Sequence, residues 1–237
     1  MEYTIIVVGC GATGSHLTSL LSQLAVSEKK IKEIVLIDGD IVEPKNFRNQ
    51  KFTEKNVGRK KSEVLSTRYR KLKIDISYKD EYLVDPTTIT ELLKDSSNTP
   101  IIIGCVDNNK ARRVLNSTFY SEKIPQLIYI DCGNGDGEHR DGQIVVGVKN
   151  KGKVIKPPVG DVYPTMMDER YDEKDEEVLY TCSRVEEHPQ NFATNVFSGT
   201  LAFIILNNII CNNATDLPFY LRFFTDSLTV KEISLKK

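Results

Sequence analysis

The spacing of hydrophobic positions switches repeatedly between two periods. Residues 3–8 (YTIIVV) are an apolar, β-branched run stopped by a glycine, the pattern of a strand buried on both faces. Residues 16–24 follow with Leu17, Leu20, Leu21 and Leu24 at helical spacing, and residues 34–37 (IVLI) give a second buried strand. These three segments predict a β-α-β unit. The same logic reads 60–70 as a helix, 74–78 as a strand, 86–93 as a helix, 100–105 as a strand, 109–120 as a helix and 127–131 as a strand. Strands alternating with helices predict an α/β fold built on a mostly parallel sheet with right-handed crossovers and helices on both faces.

The pattern changes after Gly133. A glycine-rich turn, GNGDGEHRDG, leads into 143–148, a strand placed to pair antiparallel. Residues 151–177 carry Pro, Gly and the charged run DERYDEKDEE with little apolar periodicity, and a long surface loop is expected there, reaching to about residue 181. A helix is expected over 192–208. Two antiparallel C-terminal strands, YLRFF and LTVKEISL, should flank the turn at Asp226 and Ser227.

Composition narrows the class. The 237 residues, 40% hydrophobic and 27% charged, suit one globular domain over 1–237, with no compositional break to mark a second. The 32 basic and 33 acidic residues leave a net charge of -1, which disfavours nucleic-acid binding through a broad basic field. The opening MEYTIIVVGCG lacks the features of a secretory signal, so a cytoplasmic location is expected. The apolar stretch 196–211 contains Asn207 and Asn208 and falls short of the ~20 residues a bilayer needs, so it reads as a buried helix and no membrane partner is expected. Five cysteines, Cys10, Cys105, Cys132, Cys182 and Cys211, form no C-x-x-C pair. Free thiols are expected, and no zinc.

Chemistry first enters at Gly9-Cys10-Gly11-Ala12-Thr13-Gly14, a G-x-G-x-x-G between the first strand and first helix. Glycines there permit a tight turn and close approach to the backbone, and the helix start attracts phosphate through its unpaired N–H groups. Asp38 ends the second strand, where a carboxylate can bind ribose hydroxyls. Together they predict a Rossmann-like nucleotide site, without choosing between a redox dinucleotide and ATP.

Further segments make that choice. IDGDIVEPKNFRNQKF (37–52), NVGRKKSEVL (56–65), GCVDNNKARRVLN (104–116) and IDCGNGDGEHRDGQIVV (130–146) together resemble the ubiquitin-activating-enzyme superfamily, which includes the bacterial ThiF, MoeB and HesA proteins. The resemblance rests on that family's ordered D-x-D-x-V, N-x-x-R-Q, V-G-x-x-K and T-D-N-x-x-x-R-x-x-x-N segments. It implies an enzyme that uses ATP and Mg²⁺ to adenylate the C-terminal carboxylate of a ubiquitin-like or sulfur-carrier protein, working as a homodimer. It also implies roles by position: Gly9, Gly11, Ala12 and Gly14 in the phosphate loop, Asp38 on the ribose, and Asp40 and Asn46 shaping the pocket. Lys61 falls at the family's triphosphate-binding lysine and Asp107 at its Mg²⁺-binding aspartate. An NAD-dependent oxidoreductase would use the glycines and Asp38 but leave Lys61 and Asp107 without a purpose.

Local sequence offers plainer roles for some of these residues. Lys61 sits in the charge run RKKSE, which suits a solvated helix start. Asp107 and Asn108 are both types that cap a helix, and Arg112 and Asn116 can fasten theirs to its neighbours.

Three departures from the family pattern stand out. Position 49, where the family has arginine, holds Asn49, with Arg48 one residue earlier as the substitute phosphate ligand. With a first strand expected from Tyr3, the arginine-bearing helix that many members carry ahead of it is expected to be absent. The zinc-binding C-x-x-C pairs are absent as well. Cys182, in YTCSRVEEHPQNF with Arg184 and His188 close by, falls where members lacking a separate cysteine domain carry a transfer cysteine. It is the candidate nucleophile, with a structural thiol as the plainer alternative. The missing arginine and the displaced Arg48 motivate a second reading, a non-catalytic nucleotide-binding scaffold or regulatory half of a heterodimer. His16 and His139 receive no role.

Overall fold

The computed structural model describes residues 1–135, 140–171 and 191–234. Nine strands among them form one mixed sheet. Along its main path the order is β3 (Ile76–Lys79), β2 (Ile31–Ile37), β1 (Tyr3–Val8), β4 (Thr99–Gly104), β5 (Leu127–Asn134), β6 (Asp141–Asn150), β8 (Tyr220–Phe224) and β9 (Thr229–Glu232), with β7 (Lys153–Lys156) on β6. The first five strands pair parallel, and every pairing from β5–β6 onward is antiparallel.

Periodicity in β1 explains the two helical layers. All six of its residues are buried, so alternate side chains serve opposite cores. Ile5 and Val7 join one core with Leu17 and Leu21 of α1 (Ala12–Ser27) and Val64 and Leu65 of α2 (Lys61–Tyr69). Ile6 and Val8 join the other, with Ile89 of α3 (Thr87–Leu92) and Leu115 and Phe119 of α4 (Asn109–Tyr120).

The apolar C-terminal segment forms α6 (Phe192–Ile210), started by Asn191, whose side chain accepts the N–H groups of Ala193 and Thr194 at 2.9 and 3.3 Å. By length and hydropathy this helix would suffice to cross a membrane. Instead it packs on α1, with Ala202, Ile205, Leu206 and Ile209 completing the first core.

The long surface loop expected after residue 150 needs correction over its described part. Residues 153–156 turn back on β6 as β7, followed by the short α5 (Val159–Val162) and by single turns at Pro164–Met167 and Glu169–Tyr171. Val159 supplies the reason: it is fully buried against the second core, an isolated apolar anchor that shows no periodicity in sequence. Residues 172–190, which include Cys182, Arg184 and His188, lie outside the described residues, as does His139.

Candidate nucleotide site

The carboxyl ends of β1, β2, β4 and β5 converge on a cavity of about 620 Å³, the place where ligands bind in open parallel sheets and a volume within the usual range of ligand pockets. Its wall includes Gly9, Gly11, Ala12, Asp38, Asp40, Asn49, Lys61 and Asp107. Gly14, Asn46 and Arg48 are not part of that wall.

The glycines divide by task. Gly9 has φ +91°, and a β-carbon there would stand 2.4 Å from the Cys105 carbonyl oxygen. A β-carbon on Gly14 would meet the Gly9 carbonyl oxygen at 1.9 Å. These two let β1, the turn and α1 pack together. Gly11 is different: nothing lies within 4 Å of its β-carbon position, so it leaves open space at the start of α1, where the N–H groups of a helix start favour an anion.

Asp38 holds this turn in place. One carboxylate oxygen accepts the N–H of Cys10 at 2.6 Å and the other that of Asp40 at 2.7 Å. Each oxygen keeps a further lone pair for a ligand hydroxyl. Burial pushes the Asp38 carboxyl upward, against the pull of those two N–H groups and Lys61. Asp40 is driven the other way: although burial raises it, Lys61 and the Tyr82 hydroxyl together hold it below the usual carboxylate value. Tyr82 donates to the second Asp40 oxygen at 2.7 Å, and the same bond pushes the phenol up to about 12.

Lys61 is 6% exposed, and its Nζ lies 2.7 Å from Asp40 Oδ2. The neighbouring Lys60 turns elsewhere and donates to the Gly39 carbonyl. Of the lysines in the RKK run, one is thus inserted into the cavity. Asn46 is buried and accepts the Glu43 N–H at 2.8 Å, shaping the turn that carries Asn49 and Gln50 to the cavity. Arg48, in the same turn, is exposed.

Asp107 and Asn108 separate two roles the sequence left merged. Asn108 caps α4, accepting the Ala111 N–H at 2.8 Å. Asp107 is exposed to the cavity and takes a 3.3 Å contact from the Asn108 amide. Among the described residues no group of three or more metal-binding side chains occurs. A lone carboxylate suits Mg²⁺, which commonly binds one or two protein carboxylates and completes its shell with phosphate and water.

Several wall residues escaped sequence reasoning. Tyr82 lies in a polar loop without a motif. Asn134 belongs to a segment read only as a glycine-rich turn, and Asn195 to a helix read as apolar. Arg112, by contrast, takes the role its sequence position suggested and fastens α4 to its neighbours: its Nη2 donates to the Val106 carbonyl at 2.8 Å, and its Nε lies 3.4 Å from the fully buried Asp131. Burial pushes the Asp131 carboxyl upward, opposed by Arg112 and by the Tyr129 hydroxyl at 2.9 Å.

Two thiols beside the cavity, Cys10 and Cys105, are poorly suited to nucleophilic attack. Burial raises Cys10 well above its ordinary value, and a hydrogen bond with Cys132 followed by burial does the same to Cys105.

No curated protein sequence matches the chain at a significant level. Its fold is similar to that of E. coli MccB solved with ATP, at 22% identity and a TM-score of 0.65 over 97% of this chain and 63% of that one. MccB solved with AMPCPP and MccA is similar at 20% identity and 0.66, again over 97% and 63%. PaaA matches at 15% identity and 0.67, over 98% of this chain and 64% of that one. The chain therefore spans less than two thirds of the length of these structures, which share its fold. The ThiF family model matches residues 1–234, nearly the whole length, and the chain belongs to the ThiF family.

Proposed function

We propose that the protein is an ATP-dependent adenylating enzyme acting on the C-terminal carboxylate of a peptide or small carrier protein, of the ubiquitin-like or sulfur-carrier kind. The observation that carries this reading is that Lys61 and Asp107 line one cavity together with the open backbone at Gly11. A redox dinucleotide site has no use for that pair. Membership of the ThiF family and likeness to a structure solved with ATP support the same reading.

In the proposed reaction a substrate carboxylate oxygen attacks the α-phosphorus of ATP. The new C–O–P bond forms as the bond from the α-phosphorus to the bridging oxygen breaks, and pyrophosphate leaves with that electron pair. No base is required, because a carboxylate is already ionised near neutral pH. Asp38 would bind the ribose hydroxyls, and the start of α1 would bind phosphate. Lys61, released from Asp40, would meet the negative charge of the β- and γ-phosphates. Mg²⁺ held on Asp107 would supply further neutralisation of the departing pyrophosphate. Transfer of the acyl group to Cys182, and a homodimeric assembly, belong to the same proposal.

ATP–pyrophosphate exchange with Mg²⁺, measured with candidate carriers ending in Gly-Gly, tests it. Carrier-dependent exchange is expected, falling at least about 100-fold in Lys61→Ala and in Asp107→Ala while far-UV circular dichroism stays unchanged. Undiminished exchange in both variants would refute the site. Cys182→Ser should abolish a thiol-sensitive carrier adduct while leaving exchange intact. The non-catalytic reading is favoured by one observation, the position of Arg48 outside the cavity wall. Tight ATP binding without exchange would identify it.

A further inference from the structure

Among the described residues, three cations line the cavity wall: Lys61, Lys110 and Arg112. Two of them are committed. Lys61 is paired with Asp40 at 2.7 Å. Arg112 donates to the Val106 carbonyl at 2.8 Å and lies 3.4 Å from the buried Asp131. Lys110 belongs to the first turn of α4, just beyond Asp107. It is exposed, and it makes no hydrogen bond or ion pair among the described residues.

The charge balance of the wall gives this ammonium its importance. The same wall carries the carboxylates Asp38, Asp40 and Asp107. Lys61 answers Asp40, and the buried Asp131 answers Arg112, so Asp38 and Asp107 stay negative. A triphosphate brings about four further negative charges near neutral pH. In a partly enclosed site little water screens their repulsion, and one Mg²⁺ on Asp107 offsets only part of it. Lys110 is the wall's remaining positive charge among the described residues.

Its position is one that the helix itself disfavours. The first turn of α4 has no acidic residue, and the positive end of a helix dipole repels a cation placed there. Lys110 therefore weakens the start of α4, with no side-chain partner to offset the loss. Departures from local preference of this kind collect at functional sites. The turn at 48–49 does not meet the need for a phosphate-binding cation, because it brings Asn49 to the wall and leaves Arg48 outside.

We propose that Lys110 binds the β- and γ-phosphates of ATP, in place of the arginine that the turn at 48–49 does not deliver to the cavity. The inference rests on the adenylation reading and adds to it a catalytic residue at a position the family's pattern leaves open. The Lys110 ammonium touches the triphosphate and neutralises the charge that gathers on pyrophosphate as its bond to the α-phosphorus breaks. No proton or group passes to or from Lys110. Asp107 and Lys110 then act from the same end of α4, the carboxylate as a ligand for Mg²⁺ and the ammonium on phosphate oxygen directly.

Calorimetric titration of the whole protein with AMP and with the unreactive ATP analogue AMPCPP, both with Mg²⁺, separates the possibilities. Lys110→Ala should bind AMPCPP about ten-fold or more weakly than wild type, the worth of a charge-assisted hydrogen bond. Its affinity for AMP should stay within about two-fold, an effect smaller than one hydrogen bond. Lys110→Arg, which keeps the charge, should recover most of the AMPCPP affinity. The melting temperature of nucleotide-free Lys110→Ala should equal or exceed that of wild type, because a cation has left the positive end of α4. Undiminished AMPCPP binding by Lys110→Ala would overturn the inference, leave the nucleotide site standing and mean that the charge comes from elsewhere, such as a second copy of the chain. A lowered melting temperature with equal weakening of AMP and AMPCPP would mark a structural lysine and overturn it too. If the wild-type protein binds neither nucleotide, the adenylation reading fails and this inference fails with it.

Discussion

Gly14 and Gly11 belong to the same six-residue motif, yet their surroundings differ completely. A methyl group on Gly14 would have to displace the Gly9 carbonyl, which a β-carbon would approach to 1.9 Å, and backbone has little freedom to yield. Gly14→Ala is therefore expected to destabilise the protein by at least about 1–3 kcal/mol in urea unfolding. Gly11 has open space around its β-carbon position, with φ -72° and ψ -145°. Gly11→Ala should cost less stability than Gly14→Ala in urea unfolding but weaken ATP binding, because the methyl group enters the space left for phosphate. Loss of stability in Gly11→Ala with unchanged ATP affinity would reverse this assignment. The motif was legible in the sequence, but this division of tasks was not. Lys61 is a similar case. Its position in a charge run is compatible with a solvated helix start, and only the fold turns it inward to Asp40 while Lys60 points to Gly39.

At the level of elements, hydrophobic spacing located every major helix and strand because each buries a face of constant period. The helix starts were less plain, since capping depends on which of two adjacent polar residues has the right backbone angles. Asn108, with φ -130° and ψ 150°, is the cap of α4, and it leaves the preceding Asp107 available to ligand. Asn108→Ala should then cost about 1 kcal/mol in thermal unfolding, whereas Asp107→Ala should change stability little. Comparable losses in both variants would mean that Asp107 also supports the helix. The region 153–171 shows the limit of pattern reading. β7 has four residues, none buried, and is held by hydrogen bonds to β6, while α5 is anchored through Val159. Segments this short do not repeat a period often enough to announce themselves.

Across the whole molecule, α6 joins the two halves of the sheet. It packs on α1 from the parallel half and against β5 and β6 where the pairing changes direction. Leu206, fully buried in α6, lies in the same core as Ile5 of β1 and Phe223 of β8. Leu206→Ala should lower stability by about 2–5 kcal/mol, and the urea midpoints read by circular dichroism and by loss of ATP binding should move down together. A binding midpoint left in place while the circular dichroism midpoint fell would show that the nucleotide half folds independently. The sequence by itself determined the alternation of strands and helices, the glycine turn with Asp38, and the resemblance that singled out Lys61 and Asp107. Those features are local, because hydrophobic period and short motifs are written within a few turns of chain. The meeting of Thr13 with Asn195, 182 positions apart, and of both with Asn134, was decided by tertiary structure alone. Polar side chains used once, at the converging ends of strands distant in sequence, carry no period, and packing of the surrounding apolar core is what brings them together.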